Sequence, residues 1–182
     1  TGLATLEEID KAVAVARDNG CKDLTLLHCE SHYPADPRTF NLNTIPFFKE
    51  RYQCKVGLSN HAIGDALDIA ATALGADMIE KHFAKDRHSG IDAAFSMTPD
   101  ELRQLKQDTV TVALSMGKKE VRLNEDDIAA RSGRRSVYLT SELKQGEALT
   151  MEHVRIIRPA CGLDPFALDQ LLGKKAKSDL HA

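Results

Sequence analysis

At 182 residues the chain has room for one ordinary domain, or for one domain and a small module. Apolar content of 42% and charge of 28% fit a soluble globular protein, and a net charge of −3 offers no basic footprint for nucleic acid or an anionic membrane. No apolar run reaches bilayer-spanning length and TGLATLEEIDK lacks a signal-peptide layout, so a cytoplasmic protein is expected, with no membrane or nucleic-acid partner.

Thr5 and Glu8 form a capping box, and Leu6, Ile9, Ala12, Val13 and Ala16 recur at helical spacing until Gly20. Leu24 to Cys29 (LTLLHC) is an apolar run of strand length, expected to be buried on both faces, and ends in the polar loop Glu30 to Pro34. Asn41 to Tyr52 carries Leu42, Ile45, Phe48 and Tyr52 at helical spacing, with Pro46 in its first turn. A strand over Lys55 to Ser59 delivers Asn60 and His61 past its end. A helix from about Asp65 to Leu74 follows, stopped by Gly75. The strand Asp77 to Phe83 then puts His82 at the equivalent place.

Strand, helix, strand alternation predicts a parallel α/β sheet with right-handed crossovers, and three units are too few to close an eight-stranded barrel. Residues at the C-terminal ends of neighbouring parallel strands converge on one mouth, so His61 and His82 are predicted to sit side by side. Two converging imidazoles suit a divalent metal with open positions for water or substrate. The same spacing also fits a satisfied core histidine at 82 and a helix-entry residue at 61.

Ala84 to Ser96 is a charged loop in which Lys85, Arg87 and His88 read as a solvated face. Thr98 and Glu101 form a second capping box with Pro99 at the first helical position, and the helix runs to Gly117. Lys118 to Gly133 is charged, has little periodicity and reads as a linker. From Arg134 the chain turns to short alternating segments, SVYLT and VRIIRPACGL, then a brief helix, FALDQLLG. The four cysteines, Cys21, Cys29, Cys54 and Cys161, form no CxxC pair and read as reduced thiols, with Cys29 and Cys54 as core fillers.

HCESHYP, GLSNHAIG, ALGADMIEKHFAKD and GIDAAFSMTPDEL resemble, in order, motifs of the sialic acid synthase family, which includes N-acetylneuraminate, legionaminate and pseudaminate synthases. RRSVYL and VRIIRPACG resemble its small antifreeze-like (SAF) domain. The resemblance implies the C-terminal part of a TIM (β/α)8 barrel at 1–117, a linker at 118–133 and a truncated SAF domain, a small α+β module, at 134–182. On that reading the chain is a piece of a longer enzyme, beginning at the end of the fifth barrel strand.

The activity implied is condensation of phosphoenolpyruvate with an N-acyl hexosamine, N-acetylmannosamine or a related sugar, giving a nine-carbon 2-keto sugar acid and phosphate. By the same resemblance His61 and His82 hold a divalent metal, Mn2+ or Mg2+, and Ser59 contacts phosphoenolpyruvate. Tyr33 lines the sugar site, and Ser31, standing where the family often has asparagine, still offers the substrate a hydroxyl of shorter reach. Asp92, in GID where GPD is usual, contacts the N-acyl sugar. Arg158 reaches the substrate from a SAF domain lying over the partner barrel of a homodimer. Two other classes also accommodate the residues: another metal-dependent barrel aldol-type synthase or hydrolase, and a non-catalytic carbohydrate-binding or assembly module.

Overall fold

In the computed structural model, which describes residues 1–182, Thr5 opens helix α1 (Leu6–Asp18) with a full capping box. The Glu8 amide donates to Thr5 Oγ1 at 3.3 Å and the Thr5 amide to Glu8 Oε2 at 2.8 Å. Two orphan donors of the first turn are thereby satisfied. Strand β1 (Thr25–Cys29), helix α2 (Thr44–Tyr52), strand β2 (Lys55–Asn60), helix α3 (Ala66–Ala73), strand β3 (Ile79–Lys81) and helix α4 (Pro99–Ser115) follow in chain order.

The three strands pair in the order β1-β2-β3, all parallel. β2 is the middle strand and is buried from Val56 to Asn60. Val56 and Leu58 meet Ile9 and Val13 of α1 and Ile45, Phe48 and Tyr52 of α2 in one apolar core. Gly57 permits this packing, because a Cβ there would lie 2.5 Å from the Met78 carbonyl oxygen and 2.6 Å from Leu27 Cδ2. β1 departs from expectation: all five residues are only half-buried. It is an edge strand, with a paired neighbour on one side alone.

Other boundaries also move. α2 begins at Thr44 rather than Asn41, behind a short 3-10 turn at Pro37–Thr39. β3 keeps three of the seven residues expected for it, since Phe83 leaves the ladder to bridge Met97 instead. The charged stretch read as a linker contains helix α5 (Glu125–Ala130), capped by Asn124 and Asp127.

The chain divides into two compact units, Thr1–Lys118 and Lys119–Ala182. In the second, β4 (Ser136–Leu139) and β5 (Val154–Ile157) pair antiparallel, and helix α6 (Leu168–Leu171) supplies Leu168 to a small core with Val137 and Val154. All four cysteines are free, with Cys29 and Cys54 half-buried. Burial pushes the Cys54 thiol up, as expected for an apolar filler. No helix is long and apolar enough to cross a membrane.

Candidate active site

Register decides which side chains meet. Asn60 pairs with Lys81 and Ser59 with Glu80, so His61 and His82, one residue beyond each strand, come to the same level. Their ring centroids are 5.2 Å apart and nearly perpendicular at 85°. Because side chains alternate along a strand, Ser59, His61, Glu80 and His82 share one face while Asn60 and Lys81 take the other.

Each imidazole has one nitrogen occupied. His61 Nδ1 lies 2.8 Å from the Glu30 carbonyl oxygen, which can only accept, so Nδ1 carries the proton and Nε2 presents its lone pair. The Ser59 hydroxyl is 3.4 Å from that Nε2. His82 Nδ1 lies 3.3 Å from Asp92 Oδ2, on the long loop after β3. A metal-binding histidine ordinarily has its second nitrogen held by a carbonyl or carboxylate in this way. The pair therefore fits as two ligands of a divalent ion. No group of three His, Cys, Asp or Glu side chains completes a set within the chain.

Aromatic rings wall the pair. Tyr33 lies 4.2 Å from His61 and 5.5 Å from His82, centroid to centroid, with its ring half-exposed. Phe95 is 5.2 Å from His82 and 5.9 Å from Tyr33. Sequence reasoning passed over Phe95, which stands in the GIDAAFS loop beside the aspartate it did single out. Arg87, read as solvated, instead donates to the Ser96 carbonyl and pairs with Glu101, tying this loop to the start of α4.

His61, His82, Tyr33, Ser59 and Asp92 thus gather at one strand-end mouth. Ser31 stands slightly apart: its hydroxyl is 3.7 Å from Cys29 Sγ and sits against Gly2, where a Cβ would come within 2.1 Å of it. Arg158 belongs to the second unit, exposed just past β5. Its loop is braced, because Tyr138 donates to the Pro159 carbonyl at 2.7 Å and the Ala160 amide to the Ser132 carbonyl at 2.9 Å.

Residues 1–121 match the NeuB family, two thirds of the chain. The chain belongs to the NeuB family. A SAF domain match covers residues 134–182. Among relatives of this NeuB chain, pseudaminic acid synthase of Campylobacter jejuni is 36% identical over 182 residues, covering 100% of the chain and 53% of the relative. N,N'-diacetyllegionaminic acid synthase of the same species is also 36% identical, over 97% of the chain and 54% of the relative. The crystal structure of N-acetylneuraminic acid synthetase from Leptospira borgpetersenii, in complex with citrate, superposes with a TM-score of 0.65 at 32% identity. It aligns with 70% of the chain and 45% of that structure. The NeuB chain spans about half the length of the curated relatives it matches.

Proposed function

We propose that this chain carries the metal-binding and sugar-facing part of a sialic-acid-type synthase, which condenses phosphoenolpyruvate with an N-acyl hexosamine to a nine-carbon 2-keto sugar acid and releases phosphate. The observation that carries the reading is the paired imidazoles, each with Nδ1 against an oxygen acceptor and Nε2 left to bind. Relatives named as pseudaminic and legionaminic acid synthases support the reaction class.

A divalent metal, Mn2+ or Mg2+, bound by His61 and His82 supplies a Lewis acid for the sugar's aldehyde. The chain's own groups orient the reactants. Ser59, almost fully buried, offers a hydroxyl to a phosphate or carboxylate oxygen of phosphoenolpyruvate. Tyr33 presents a ring face and a hydroxyl to the sugar, and Asp92 accepts from a sugar hydroxyl or the N-acyl N–H. Ser31, beside Cys29 on the loop that carries Tyr33, offers a hydroxyl to the substrate. Arg158, on its braced loop, donates to the N-acyl carbonyl from the SAF-like part of a homodimer partner.

The three parallel strands are proposed as the C-terminal part of a TIM barrel at 1–117, with 118–133 as connector and 134–182 as SAF domain. The open edge of β3 supports this. Beside it and α4 lies a cavity of about 800 Å3 lined in part by Met78, Ile79, Leu102 and Leu105, as a site for a further barrel element would be.

The test is metal-dependent phosphate release from phosphoenolpyruvate in the full-length protein. Either His61→Ala or His82→Ala is expected to abolish it, and the double variant to lose Mn2+ binding. Unchanged Mn2+ binding by the double variant would overturn the reading.

A further inference from the structure

On the face of the sheet away from the histidines lies a buried polar cluster that no step above uses. The Asp68 side chain on α3 is fully buried and that of Lys81, at the end of β3, is 3% exposed. Asn60 Nδ2 donates to Asp68 Oδ1 at 2.8 Å, and Asn60 Oδ1 accepts from the Ala62 amide at 2.8 Å. Lys81 Nζ donates to the Ala62 carbonyl at 2.9 Å and the Gly64 carbonyl at 2.7 Å.

Lys81 thus spends two of its three protons on loop carbonyls rather than on its carboxylate partner. Asp68 Oδ2, 3.4 Å from Nζ, has no hydrogen-bond partner at all. A buried ion pair is a poor stabiliser, since removing two charges from water offsets most of their attraction. A cluster built only for stability would close the pair tightly. This one instead holds the turn after β2 at both the amide and the carbonyl of Ala62 and again at Gly64, whose φ of +84° shapes the exit into α3. The residue between that clamp and β2 is His61.

We propose that Asn60, Asp68 and Lys81 are positioning residues that lock the His61 loop, so that Nδ1 stays on the Glu30 carbonyl and Nε2 stays turned into the site. The inference rests on His61 being a metal ligand. Its effect on the ring is separable from that reading. The strand alternation gives it a plain logic: in S-N-H and E-K-H, the residue before each histidine points backward and clamps while the histidine points forward.

The experiment uses the full-length protein. Lys81→Met alone strands a buried carboxylate and is expected to unfold the protein, so the working variant is Asp68→Asn with Lys81→Met, which leaves no lone charge. Asn60→Ala, which keeps the ion pair, is the second variant, and Ile45→Val in the core is the control for simple loss of stability. Nitrogen-15 NMR of the His61 ring is expected to show a single Nδ1-protonated tautomer in the wild type and the control, and mixed tautomers in both variants. Mn2+ affinity measured by EPR should fall about 10- to 100-fold in the variants, the usual loss when the groups behind a ligand are removed. A wild-type tautomer and Mn2+ affinity in whichever variant folds would overturn the proposal. Mixed tautomers in the variants of a protein that itself takes up no Mn2+ would uphold the clamp and overturn the metal reading.

Discussion

Ser59 is the residue on which the assignment of phosphoenolpyruvate turns. It is buried, and its hydroxyl lies 3.4 Å from His61 Nε2 on the face of β2 that carries the histidines. Ser59→Ala in the full-length protein removes one hydrogen bond to a charged group, worth roughly 1.5 to 3 kcal/mol, so kcat/KM for phosphoenolpyruvate should drop about one to two orders of magnitude. The sugar's KM should hold. Steady-state kinetics with each substrate varied in turn checks this, and an unchanged phosphoenolpyruvate response would remove Ser59 from the site. The meeting of His61 and His82 was legible because each follows a short strand directly, and parallel pairing leaves little freedom in where a strand end lies. Asp68 and Lys81 were not. A lone aspartate inside ALDIAATA was the available signal, since a charge amid apolar helix residues must find a partner. Which lysine answers it depends on register, and register is a tertiary fact.

Among elements, α4 shows how a capping box carries pH dependence. Glu101 accepts from the Thr98 amide at 2.8 Å, and this bond chiefly holds its carboxyl below the ordinary 4.5; burial opposes the shift, while the Thr98 hydroxyl and Arg87 add to it. A depressed carboxylate stabilises the fold at pH above 4.5, and that contribution drains away as pH falls through the folded-state value. Urea denaturation should therefore find Glu101→Gln less stable than wild type at pH 7, with the gap narrowing as pH falls below 4.5 and closing once the folded-state carboxyl is protonated. A gap constant across that range would mean the carboxylate contributes nothing as an anion. Both capping boxes were legible, because N-cap and N3 lie three residues apart and need no tertiary partner. The half-burial of β1 was not, because its apolar run is the same whether one edge or two are paired. Helix α5 was missed for another reason: EDDIAA is too short to display a period, and only Asn124 with Asp127 marks its start.

At the scale of the molecule there are two units with separate cores, and the proposed enzyme needs a residue from each. Arg158→Lys keeps the charge but loses the planar fork of donors, so kcat/KM for the sugar should fall about 10- to 100-fold while the phosphoenolpyruvate response stays near wild type. Mixed with His61→Ala protein under subunit exchange, Arg158→Lys should regain activity, since one site of the mixed dimer then has both intact parts. Failure at every mixing ratio, with exchange demonstrated, would mean that Arg158 does not act across a dimer. The central place of β2 has a last consequence, for the order in which amides take up deuterium. Its amides lie in the interior of the sheet, so those of Leu58 to Asn60 should exchange only through global opening of the first unit, whereas the rim amides of β1 exchange through local fraying. His61 hangs from the slowest-exchanging strand and should keep its place until that unit unfolds as a whole, whereas His82, past the three-residue edge strand β3, should part from it in earlier, local openings.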